Sequence, residues 1–196
     1  MKLNLQTLGI LIGVISGIIS IPPALINAYQ ITFHKPMPKL EVKPSKSISF
    51  SSNASRTTIT VSFGLLLYNK GDANEEIQSS NVYFGMADDP KLGITFTDES
   101  LVFKQGENDY DMQRPIRKDQ DQSIRCEFTS SFNDLLRHMF MRQEKPHALL
   151  IEMVGQNSRQ TYKAKLQFDL GADVSASFLN PAVQPINQSI ACTVEQ

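Results

Sequence analysis

The side chains able to do chemistry are few in this sequence and far apart. The histidines His34, His138 and His147 are the natural acid–base groups, yet none stands in an H-x-H or H-E-x-x-H pattern. A general base must lie within hydrogen-bond reach of the group it deprotonates, and a zinc site draws ligands from short, regular spacings. Neither is foreshadowed. His34 reads as an interfacial residue, His138 as part of the polar side of a helix, and His147 as the opening of a strand after Pro146. No Walker or dinucleotide glycine loop occurs, so the sequence predicts no cofactor.

Charge clusters offer two weaker chemistries. The run Glu107-Asn-Asp-Tyr-Asp111 could present oxygens to calcium, helped by Asp88 and Asp89 or by Asp98 and Glu99. Its spacing fails the EF-hand rule, which predicts a solvated loop and no metal site. Arg114, Arg117 and Lys118 form a basic cluster suited to anionic headgroups, partly cancelled by Asp119 and Asp121. Cys126 and Cys192 lack C-x-x-C spacing; Cys126 reads as a buried thiol, with a bridge to Cys192 as the alternative. A net charge of −1 gives no broad positive field, which argues against nucleic acid as a partner. Together these features predict a protein that is not an enzyme.

The clearest signal concerns placement. Residues 8–33 read LGILIGVISGIISIPPALINAYQITF, without a single Asp, Glu, Lys or Arg. A bilayer core needs about 20 helical residues, so residues 1–34 are expected to form one N-terminal transmembrane anchor, kinked at Pro22 and Pro23. The rival is a cleaved signal peptide cut after Ala28; the bulky Ile26 and the single basic residue Lys2 argue against it. Gly9, Gly13 and Gly17 fall on one helix face and would let a second helix approach closely, which predicts self-association. Lys35, Lys39, Lys43 and Lys46 follow the span, whereas Lys2 alone precedes it, so the soluble part is expected on the cytoplasmic side of the cell membrane.

Residues 35–39 hold two prolines and read as a stiff linker. Residues 40–171 are expected to form the soluble domain, and residues 172–196 an extended tail. Thr57 to Asn69 is rich in β-branched and apolar residues, predicting a central strand that ends in a hairpin turn at Asn69-Lys-Gly-Asp72 and returns along residues 77–86. Shorter runs at residues 92–97, 101–104 and 123–128 read as strands. Residues 147–154 and 161–170 flank the polar loop 155–159 as a hairpin whose second strand alternates cleanly. One amphipathic helix is expected over residues 132–142, capped by Ser131, with Phe132, Leu135, Leu136, Met139 and Phe140 as its apolar stripe.

These elements predict an all-β domain, an Ig-like two-sheet sandwich with one short helix, a small β-barrel being the alternative. The expected function is that of a membrane-anchored, non-enzymatic module that binds a protein partner through loops or a sheet edge. An oligomerising membrane effector that uses the glycine face, or a secreted β domain after signal cleavage, are the competing readings.

Overall fold

The computed structural model describes residues 36–135, 146–169, 178 and 185–195. The expected anchor, with Gly9, Gly13, Gly17 and the flanking Lys35, lies outside them. Among the described residues no helix is long and apolar enough to cross a membrane.

Strand β2, Thr58–Asn69, shows how the sequence makes the sheet. Ile59, Val61, Phe63, Leu65 and Leu67 alternate with Thr60, Ser62, Gly64, Leu66 and Tyr68; the first set is fully buried and the second half-buried. Period-two alternation places each set on one face of a pleated strand, so the apolar set packs inward. As expected for a central strand, β2 is paired on both sides, by β1 (Leu40–Ser52) and by β7 (Asp121–Ser131). The first sheet has the order β10-β1-β2-β7-β5-β6, adding β5 (Leu101–Gln105), β6 (Asn108–Asp109) and β10 (Asn187–Ala191). The second has the order β11-β9-β8-β3-β4, formed by β3 (Ile77–Met86), β4 (Ile94–Thr97), β8 (His147–Gly155), β9 (Thr161–Phe168) and β11 (Thr193–Glu195).

All neighbours are antiparallel, and the strands divide between two open sheets rather than closing as a barrel. The chain is a β-sandwich. Its core is knit by aromatic rings from opposite sheets: Phe50 meets Phe168 at 5.9 Å between centroids, and Phe96 stacks on Phe128 at 4.0 Å. Each buried phenylalanine contributes about 2–3 kcal/mol of transfer free energy, so these pairs do much to hold the layers together.

Several sequence expectations need correction. The Asn69 turn does not close a hairpin: β2 and β3 lie in different sheets, and residues 70–76 carry the chain across the end of the sandwich. The reason is Asn69 itself, whose buried side chain ties the crossing to Ala73 and Ile116. The run 123–128 is the middle of the longer β7, and the run 92–97 begins with a 3-10 turn, Pro90–Leu92, that leaves Leu92 81% exposed. Residues 187–195, expected as part of an extended tail, add one strand to each sheet. Ser131 is the last residue of β7, and the Phe132 N–H donates to Thr57 O at 3.0 Å. Residues 132–135 are helical with Phe132 and Leu135 buried; the rest of the expected helix lies outside the described residues.

Within β1 the register shifts between Pro44 and Ile48. Proline has no N–H for the ladder, which places it at a bulge. The freed groups are taken up locally: Gly64 N–H donates to Ser45 Oγ at 3.0 Å, and Cys192 N–H donates to Lys46 O at 2.8 Å.

Candidate functional site

Two places concentrate polar groups beyond what the sheets require. The first is the end of the sandwich where the chain enters the domain. Asn69 is fully buried, and its side chain uses every hydrogen-bonding site. Its Oδ1 accepts from Lys39 N–H at 3.2 Å and Gly71 N–H at 3.0 Å, while its Nδ2 donates to Ala73 O at 2.8 Å and Ile116 O at 2.9 Å. Four segments therefore converge on one amide. Backbone bonds reinforce it: Lys70 N–H to Lys39 O and Asp72 N–H to Met37 O, both at 2.9 Å. Gly71 is required by close approach, since a Cβ there would overlap Met37 O and Lys39 N.

Beside this hub lies Glu75, also fully buried. Its Oε2 accepts from the Tyr162 hydroxyl at 2.7 Å, and its Oε1 from Asn157 N–H at 3.0 Å and Glu76 N–H at 3.1 Å. Burial, and after it the Glu75 carboxylate, raises the Tyr162 phenol above its ordinary value, opposed by the Ser158 hydroxyl. A buried carboxylate surrounded by donors is a positioning device. Here it fastens the β8–β9 loop to the crossing segment.

The second place is a groove of about 360 Å³ at one edge, where the two sheets part between β3 and the β5–β6 hairpin. Ile77, Leu101 and Phe103 form its apolar floor, with Ser80 and Tyr110; Asp98, Asp109 and Asp111 stand around its rim. Tyr110 bonds to Gln122, and burial raises its phenol. The Glu107–Asp111 segment, expected as a solvated loop, runs from the exposed β5–β6 turn through β6 to Asp111, and only Tyr110 turns inward. Among the described residues no group of three or more His, Cys, Asp or Glu is placed to hold a metal.

Of the basic residues picked out by their position after the apolar span, Lys39 stands at the entry hub, Lys43 lies in β1 within 3.2 Å of Glu41, and Lys46 is exposed at the bulge. Arg114 and Arg117, singled out as a basic cluster, line a hollow of about 190 Å³ with Pro115 and Gln120, and Lys118 pairs with Asp72 at 3.3 Å. His147 is buried against Phe84 and Phe168, with ring centroids 6.4 and 5.8 Å away, in keeping with its expected place at the start of a strand. His34 and His138 lie outside the described residues. Both Cys126 and Cys192 are free thiols. Burial pushes the Cys126 thiol far above its ordinary value and that of Cys192 up to about 11, so neither is a nucleophile near neutral pH.

Sequence reasoning missed Asn69, Glu75 and the groove. Asn69 and Glu75 resemble any polar residue near a turn, and the groove exists only because β3 and β5, distant in sequence, face each other. No protein-family model matches the chain, and no curated protein is significantly similar to it. The arrangement holds one end of the sandwich rigid and offers a half-open acidic groove.

Proposed function

We propose that the chain is a membrane-anchored, non-enzymatic interaction module that meets a protein partner at the cytoplasmic face of the cell membrane. The observation that carries this reading is how the chain enters the sandwich. Residues 8–33 hold no charge, and the domain is already fixed by Met37 and Lys39 through their bonds to Asp72, Lys70 and Asn69. From Phe33 to Met37 an extended chain reaches at most about 14 Å.

Lys39, Arg114 and Arg117 are exposed and belong to the segments that Asn69 and its neighbours join, while Lys70 and Lys118 there are paired with Glu41 and Asp72. Anionic headgroups attract such a set, about 1 kcal/mol per basic residue near the surface, which supports the orientation drawn from Lys35, Lys39, Lys43 and Lys46. The strand order further supports the Ig-like reading. The series β1-β2-β7-β5 facing β9-β8-β3-β4 follows the arrangement of such sandwiches, with β10 and β11 as additions at the edges. Folds of this kind present binding surfaces on loops and edges.

The test is a reporter active only in the cytoplasm fused after Gln196, read together with carbonate extraction of membranes and the mass of the chain. An intact, extraction-resistant chain with an active reporter is the expected result. A shortened product in the soluble fraction would replace this reading with a secreted β domain, and a silent reporter on an intact chain would reverse the orientation. Cross-linking of the same membranes reads whether the glycine face of Gly9, Gly13 and Gly17 drives self-association.

A further inference from the structure

Three carboxylates on the strands of this sandwich are each held between two cations, and the acids around the groove are not. Glu41 is held between Lys43 and Lys70 at 3.2 and 2.7 Å, Glu127 between Lys104 and Arg125 at 2.7 Å each, and Glu152 between Lys91 and Lys163 at 2.8 and 3.0 Å. Asp98, Asp109 and Asp111 surround one groove, and none of them makes an ion pair with any described residue. Lys104 stands opposite Asp109 in the β5–β6 pairing but turns its ammonium to Glu127 at 2.7 Å, and the field of Arg114 reaches Tyr110.

A second observation lies on the groove floor. Ser80 is 1% exposed, lines the groove, and its Oγ has no hydrogen-bond partner. A buried hydroxyl left unmet costs about 1–3 kcal/mol, so such a group marks a place where a ligand atom would complete the structure. Regular strand pairing also ends here. On its groove side β3 pairs with β4 only from Asn81 to Phe84, and between Ile77 and Ser80 it makes single bonds, Ile77 N–H to Met112 O at 3.2 Å and Ser80 N–H to Asp98 Oδ1 at 2.7 Å. Across the opening, β5 pairs with β6 only at Lys104 and Gln105.

We infer that this groove binds an extended peptide segment of a partner protein, one that places a lysine or arginine side chain among Asp98, Asp109 and Asp111. The volume of about 360 Å³ suits one long side chain and its adjoining backbone. The aliphatic stem of lysine or arginine packs on Ile77, Leu101, Phe103 and the 44%-exposed Val102, while its cationic head stays among the rim carboxylates. Ser80 Oγ donates to a peptide carbonyl, which gives the one unmet group of the floor its partner. An acidic segment is rejected by the same three carboxylates. This inference deepens the interaction reading by naming the surface and the partner's chemistry, and it is independent of the anchor.

The experiment uses the full chain in non-ionic detergent and fluorescence anisotropy of two labelled octapeptides, one alternating valine with lysine and one alternating valine with glutamate. The lysine peptide is expected to bind and the glutamate peptide not to. The triple change Asp98→Asn, Asp109→Asn and Asp111→Asn, which keeps the oxygens that accept from Ser80 N–H and Gln113 N–H, is expected to weaken binding at least tenfold. Removing the same charge elsewhere, by Glu99→Gln, Glu107→Gln and Asp121→Asn, is expected to change it less than twofold. Ser80→Ala, which deletes only the unmet hydroxyl, keeps the fold and weakens binding several-fold. Equal loss in the two triple variants would reduce the effect to general charge attraction and overturn the inference, as would no binding of the lysine peptide. Either failure leaves the anchor reading to its own test, because detergent solution does not depend on orientation.

Discussion

Glu75 is the residue whose removal the structure prices most directly. It is fully buried, and three donors converge on its carboxylate: the Tyr162 hydroxyl, Asn157 N–H and Glu76 N–H. Glu75→Ala strands all three. The Tyr162 hydroxyl retains Ser158 Oγ at 2.9 Å, and Glu76 is half-buried, within reach of water. Asn157 is exposed, so its N–H turns to water as well, and the loss falls mainly on the vacated space, about 2–3 kcal/mol by the usual cost of truncation. Glu75→Gln is a different perturbation. Both backbone N–H groups already point at the single oxygen Oε1, which an amide carbonyl reproduces, and the amide nitrogen then faces a phenol free to turn toward Ser158. That variant should lose about 1–2 kcal/mol, the difference between one charged and one neutral hydrogen bond plus reorientation.

Urea unfolding followed by far-ultraviolet circular dichroism on the full chain reads these losses. For a domain of this size about 2–4 °C accompanies each kcal/mol, so thermal midpoints should fall by roughly 4–12 °C for the alanine variant and by a few degrees for glutamine. Tyr162→Phe should resemble glutamine in size, and the double change Glu75→Gln with Tyr162→Phe should cost about 1 kcal/mol less than the sum of the two. An alanine variant within 1 kcal/mol of the parent, or a glutamine variant as damaged as alanine, would refute the reasoning.

Two other outcomes concern the charges and thiols. Lys91 and Lys163 bond to Glu152 and, against the upward push of burial, hold its carboxyl below the ordinary 4.5; hydrogen bonds from Lys70 and Lys43 lower Glu41 likewise. A depressed folded-state value means stability present above the unfolded value and lost as pH falls through the folded one. The thermal midpoint should thus hold steady from about pH 7 to 5 and fall below that, and Lys91→Met with Lys163→Met should lower it at neutral pH but converge with the parent in acid; parallel curves at every pH would count against it. Burial lifts the Cys192 thiol to about 11, so its alkylation by iodoacetamide should rise about tenfold per pH unit between pH 8 and 10. Cys126 should react only after unfolding, as read by mass spectrometry of the labelled chain, and native-state labelling of Cys126 would contradict its burial.

How far the sequence foretells this molecule depends on the range of the interaction involved. β2 and the β8–β9 hairpin are legible because alternation is local: Ile59, Val61 and Phe63, or Tyr162, Ala164 and Leu166, announce a buried face within a few residues. The sandwich is legible for the same reason, repeated. The Asn69 turn misleads because N-K-G-D fits a hairpin as well as a crossing, and the choice is made by Ile116 and Lys39, which no local window contains. The strands at residues 187–195 escape notice because their pairing surfaces, β1 and β9, are supplied by the rest of the domain.

The groove is beyond reach for a further reason. Its acids can be seen in the sequence, where they suggest calcium or a solvated loop, but their meaning depends on what does not stand beside them. Glu41, Glu127 and Glu152 each sit between two cations, from their own strand or from segments beside it. Such pairs contribute little to stability at the surface, about 0–1 kcal/mol each, but they leave a carboxylate with no further appetite for a cation. Asp98, Asp109 and Asp111 keep theirs, over an apolar floor and an unmet hydroxyl. An edge that were merely solvated would need neither the floor nor the buried Ser80, and it is this combination, assembled from β3, β5 and the turn beyond β6, that separates a recognition surface from a charged loop.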